Sequence, residues 1–141
     1  MECIIGAVLA GCVLLSAMLI GFDRQRAFYP TVMIVIASYC GLFAVLGGSQ
    51  LALTLEGSAL SVFVLVAIFG FRTNLWWVVA ALVAHGVFDL VHARLIEDPG
   101  VPLWWPGFCL TFGVVAGAYL TGLLRARRLP PHPTPETLAR E

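Results

Sequence analysis

The chain contains no lysine, and only 11% of its residues are charged, against about a quarter in an ordinary soluble domain. Its basic residues are eight arginines, balanced by eight acids. A charge set this sparse and neutral excludes the basic face that nucleic acid requires. Four cysteines are present, at positions 3, 12, 40 and 109, without a C-x-x-C pair. That spacing indicates neither a zinc knuckle nor a disulfide framework. They read as small buried apolar side chains.

Apolar sequence fills the space, at 60% of 141 residues. A helix crossing the roughly 30 Å hydrocarbon layer needs about 20 mainly apolar residues. Five segments meet that length: 3–21, 28–46, 50–71, 75–95 and 103–124. The joints "GFDRQRA", "GGS", "RTN" and "IEDPGVP" are short, so consecutive helices should pack as antiparallel neighbours. The expected fold is all-α, a polytopic five-helix membrane bundle over 1–128, followed by a Pro-rich tail over 129–141 expected to be disordered. "LAGC" at 9–12 resembles a lipoprotein cleavage box, but the acidic start and an apolar run reaching Ile20 favour a retained helix.

An odd number of spans puts the two termini on opposite sides, and arginine selects the orientation. Arg24, Arg26, Arg72, Arg125, Arg127 and Arg128 fall on one side; Arg94 alone, followed by Glu97 and Asp98, falls on the other. The N-terminus is therefore expected outside and the C-terminus in the cytoplasm. Asp23 reads as a helix-start acceptor. Arg24 and Arg26, beside Phe28 and Tyr29, read as a site for an anionic lipid headgroup. Small-x-x-x-small pairs at Gly113/Gly117, Ala37/Gly41 and Ala80/Ala84 allow close helix packing, either within the bundle or between copies in a homo-oligomer.

The stretch "AHGVFDLVH", residues 84–92, interrupts the apolar pattern. A fourth span that ended before Asp89 would be too short for the bilayer, so Asp89 belongs inside it, and the same reasoning places Glu56 inside the third. At about 100° per residue, Asp89 lies roughly 40° from His85 and His92 roughly 20° to its other side, so the three share one stripe. With about 1.5 Å rise per residue, Glu56 and Asp89 each fall roughly 9 Å below the outer surface, and Cys109 reaches the same level. Ionisable groups in a span are costly unless paired or hydrated, which marks them as functional.

Imidazole nitrogens and carboxylate oxygens on one stripe suit a divalent metal such as zinc, with His85, Asp89 and His92 as ligands and Glu56 as general base. That set describes a metal-assisted intramembrane hydrolase acting on a lipid or amphiphile, with Glu56 and Asp89 at the reacting centre. Three alternatives use the same residues. In a metal-free network one carboxylate accepts a proton from each imidazole; in a proton-coupled carrier the groups titrate during transport; in an accessory subunit they only set helix register.

The combination "DRQRAFYPTVMIVIASY", "HGVFDLVH" and "WWPGFCLTF" resembles a group of small bacterial inner-membrane proteins known only as a domain of unknown function, over residues 20–124. The resemblance implies a multi-pass protein of the bacterial inner membrane and no particular activity. A more distant similarity is to the alkaline ceramidases and adiponectin-type receptors, which hold Ser, Asp and three His around zinc. Ser38, Asp89, His85 and His92 stand in those parts here, on five spans instead of seven and without a third membrane histidine.

Six arginines on one side generate a direct test of orientation. A reporter active only in the cytoplasm, fused after Arg128, is expected to be active, and activity of a periplasmic reporter at the same position would overturn the five-span order.

Overall fold

The computed structural model describes residues 1–95 and 100–130. Glu97 and Asp98 of the charge argument, and positions 131–141 of the tail, lie outside the described residues. Five α-helices long and apolar enough to cross a membrane make up the described chain: α1 Glu2–Ile20, α2 Phe28–Gly47, α3 Gln50–Arg72, α4 Trp76–Leu95 and α5 Trp105–Arg125. The expected spans agree with these bounds to within two residues. A short 3-10 helix, Phe22–Arg24, joins α1 to α2. Gly48 ends α2 at φ 69°, a left-handed conformation open to glycine at no steric cost. Ser49 then starts α3 by accepting a hydrogen bond from the Ala52 amide at 3.3 Å. On α5, Pro106 stands in the first turn, where a missing N–H costs nothing.

Packing follows a chain of neighbours in the order α1, α5, α4, α3, α2, with α2 also reaching α4. The expectation that consecutive helices are neighbours holds from α2 to α5 and fails for α1, which lies mainly on α5. Glycine decides this. A Cβ at Gly6 of α1 would stand 2.6 Å from the Phe108 carbonyl oxygen, so the two backbones approach where only glycine fits. The α4–α5 contact is tighter still: a Cβ at Gly86 would collide with the Leu110 backbone, and one at Gly113 with the Leu82 carbonyl. Gly113 and Gly117 therefore serve a contact inside the bundle. Ala80 and Ala84 face outward among exposed Trp77, Val83 and Val87.

Outward faces are predominantly apolar, as suits helices long and apolar enough to cross a membrane. Where hydroxyls occur on α3 they satisfy themselves. Thr54, Ser58 and Ser61 each donate to the carbonyl four residues back, at 2.9, 2.7 and 2.8 Å.

The end of the bundle that carries the α1–α2 joint is closed by a polar lock. Asp23 is buried; its Oδ2 accepts from the Tyr119 hydroxyl at 3.0 Å, and its backbone carbonyl accepts from the Tyr29 hydroxyl at 3.1 Å. Asp23 thus ties α1, α2 and α5 together instead of capping α2, whose N-cap is Ala27 without a side-chain bond. Arg26 donates from Nε to the Phe71 carbonyl at 2.9 Å and from a terminal nitrogen to the Thr73 carbonyl at 3.2 Å. Those are orphan acceptors at the end of α3, and a cation suits that helix terminus. Arg24 is exposed.

Inserting side-chain volume where two backbones touch forces the helices apart, at a typical cost of about 1–3 kcal/mol. Gly113→Val is expected to lower the thermal unfolding temperature of the detergent-purified protein by several degrees, whereas Ala80→Val on the outward face leaves it unchanged. Equal melting of both variants and wild type would remove the α4–α5 contact from the account.

Candidate metal centre

The buried stripe of α4 reads Val78, Ala81, Leu82, His85, Gly86, Asp89, at helical spacing of three and four. Its lower part is ordinary core. Its upper part carries two ionisable side chains on the same face, so the packing that buries Val78 and Leu82 also buries His85 at 2% exposure and Asp89 at 6%. Gly86, inside the stripe, draws α5 against this face and brings Cys109 to the buried layer beside Asp89.

Cys40 of α2 completes the group from the other side. Its Sγ lies 3.4 Å from His85 Nε2 and donates to Asp89 Oδ1 at 3.5 Å. His85 turns its other ring nitrogen, Nδ1, toward Asp89 Oδ2 at 3.8 Å. Phe63 of α3 stands edge-on to the His85 ring at 4.9 Å between centroids, which fixes the ring's orientation. One donor atom each from Cys40, His85 and Asp89 lie within 4.8 Å of one another, all buried.

A second pair stands nearer the helix end. His92 Nδ1 lies 3.6 Å from Glu56 Oε1 of α3, with both side chains at least nine-tenths buried, and Phe88 stacks on the His92 ring at 5.2 Å and 27°. Asp89 Oδ2 and His92 Nε2 are buried and make no hydrogen bond among the described residues. Such atoms cost free energy in a low dielectric unless something completes them.

Cys40, Glu56, Asp89 and His92 line one cavity of about 830 Å³, walled by Phe43, Leu90, Leu103, Trp105 and Leu110 and rimmed by Glu2, Cys3 and Arg94. Its volume lies in the range of small-molecule sites, about 300–1,000 Å³, and an apolar wall around a few convergent polar groups is their usual construction. The cavity sits at the end of the bundle opposite the Asp23 lock, between the first turns of α1, α3 and α5 and the last turns of α4.

All four ionisable residues expected at the site are here, in two groups rather than one. His85 and Asp89 belong with Cys40, and His92 belongs with Glu56. Glu56 meets His92, three residues further along α4 than the Asp89 level that equal depth assumed. Cys40 is the residue that sequence reasoning set aside as apolar filling. A signal was available: Met33, Ala37, Cys40 and Ala44 recur at spacings of four, three and four and form the buried face of α2. Ser38 is not brought to the cluster; it is exposed and donates to the Val35 carbonyl at 2.6 Å. Comparison with known protein families, with curated proteins and with solved structures finds no match for this chain.

Cavity access separates the cysteines. A small charged methanethiosulfonate reagent is expected to label a Cys3-only variant fastest and a Cys40-only variant slowly, through the cavity. A Cys109-only variant should stay unmodified, since Cys109 is buried and outside the cavity lining. Intact mass reports each adduct, and a Cys40 as inert as Cys109 would mean the cavity does not reach the cluster.

Proposed function

We propose that this chain is an intramembrane hydrolase whose centre is a divalent metal, zinc by donor type, held by Cys40, His85 and Asp89 and acting on a lipid or amphiphile entering from the N-terminal end of the bundle. The observation that carries the reading is the buried convergence of one sulfur, one nitrogen and one oxygen donor, two of whose residues, Cys40 and Asp89, line a cavity while His85 stands behind them. In a tetrahedral site with Zn–S of about 2.3 Å and Zn–N or Zn–O of about 2.0–2.1 Å, neighbouring donors stand roughly 3.3–3.6 Å apart. The Cys40 sulfur lies 3.4 Å from His85 Nε2 and 3.5 Å from Asp89 Oδ1, which suits two edges of that tetrahedron. Thiolate and imidazole together favour zinc over magnesium or calcium. Three protein donors leave a fourth position open, the pattern of catalytic sites in contrast to closed structural ones.

An ion in this position lowers the pKa of a bound water and polarises a carbonyl. The chain supplies the rest: an apolar wall that receives the hydrophobic part of the substrate, and a buried floor that excludes bulk water. The arginine distribution supports a cavity mouth on the outer face, and the resemblance noted above supports a bacterial inner membrane as the setting.

Protein loaded with zinc in detergent is expected to retain about one equivalent after dialysis and to hydrolyse p-nitrophenyl decanoate, an activity lost on chelation and restored by zinc. Cys40→Ser and His85→Ala are expected to lose the ion while remaining helical. Loss of a mere supporting residue costs roughly 10–100-fold in metal affinity, so Asp89→Asn, which removes a ligand, should cost at least as much. Wild-type protein that retains no zinc under these conditions would overturn the metal centre.

A further inference from the structure

Resting on the hydrolase reading, we infer that His92 is a proton acceptor outside the metal's coordination sphere and that Glu56 is its positioning residue. The pair forms a carboxylate–histidine dyad facing the same cavity.

The geometry assigns distinct tasks to the two ring nitrogens. Nδ1 faces Glu56 Oε1 at 3.6 Å, a carboxylate from a different helix. At 3.6 Å this is a charge approach longer than a hydrogen bond; a carboxylate on that side favours the proton at Nδ1 over Nε2, which would keep its lone pair. Nε2 makes no hydrogen bond among the described residues. Phe88 stacks on one face of the His92 ring, at 5.2 Å between centroids and 27° between planes. His92 lies three residues beyond Asp89 on α4, about 4.5 Å of rise closer to the cavity mouth. It therefore lines the cavity above the metal donors without being one of the three that converge.

In ester hydrolysis this arrangement performs two proton transfers. His92 Nε2 takes a proton from the attacking water as the water oxygen bonds to the acyl carbon, and Glu56 stabilises the imidazolium that forms. When the bond between the acyl carbon and the leaving oxygen breaks, Nε2 returns that proton to the departing alkoxide. One water is consumed, and one acid and one alcohol are produced. The role expected of Glu56 from sequence, direct removal of the proton, passes to its partner.

Two variants and one spectroscopic measurement test the assignment on the full-length zinc-loaded protein. With ¹⁵N-histidine labelling, His92 should show a protonated Nδ1 and an unprotonated, metal-free Nε2, a pattern weakened in Glu56→Gln. His92→Gln should keep wild-type zinc content while losing about 100-fold or more of p-nitrophenyl decanoate turnover, the usual contribution of a positioned base. Glu56→Gln should lower kcat with KM unchanged and zinc retained. Loss of zinc from His92→Gln, or a metal-shifted His92 nitrogen, would make His92 a ligand and overturn the dyad, as would an Nε2-protonated ring. Wild-type protein that binds zinc but hydrolyses nothing would defeat the hydrolase reading, while the His92 tautomer and zinc retention would still decide the dyad.

Discussion

Contact between the backbones of α4 and α5 is the constraint on which the rest of this molecule depends. In hydrocarbon, helices gain little from burying apolar side chains against one another, because lipid serves as well; association comes from close packing and from polar groups that need company. Gly86 and Gly113 let the two helices touch directly. That contact sets the rotation of α4, and with it the direction of the stripe carrying His85, Asp89 and His92. Had α4 been rotated by half a turn, these side chains would face outward, and in a bilayer each charged group there would cost about 2.5–3.5 kcal/mol on insertion scales.

Once the stripe faces inward, its polar groups determine what can lie opposite. His85 Nε2 and Asp89 Oδ1 each approach the sulfur of Cys40, a side chain small enough for α2 to come close and polarisable enough to serve either as a weak donor or, deprotonated, as a soft ligand. His92 is met by Glu56. The arrangement corresponds to a carboxylate beside each imidazole, as in a metal-free network, yet both approaches are longer than the 2.7–3.2 Å of a good hydrogen bond and leave buried polar atoms without one. Loose pairs around a cavity are what an ion or a substrate completes.

The two ends of the bundle differ in how their polar groups are arranged. At one end, Asp23, Tyr29, Tyr119 and Arg26 bind the α1–α2 joint, α5 and the end of α3 through short hydrogen bonds. At the other, the ends of the helices surround the cavity.

Sequence by itself determined the number, length and limits of the helices, because hydrocarbon thickness and the need to satisfy every backbone group leave so few solutions for a chain this apolar. It also determined that Glu56, His85, Asp89 and His92 lie within the spans, and that the three α4 residues share a face, since helical periodicity is a local property. Tertiary structure alone decided the rest: that α1 packs on α5, that Glu56 meets His92 in place of Asp89, and that Cys40 stands between His85 and Asp89. Each of these depends on how far one helix slides and turns against another. A shift of one turn, about 5.4 Å, changes which residues meet, and the apolar pattern of a span, nearly uniform around its circumference, does not specify that shift. It is set by where glycine lets backbones touch and by which buried polar group finds a partner.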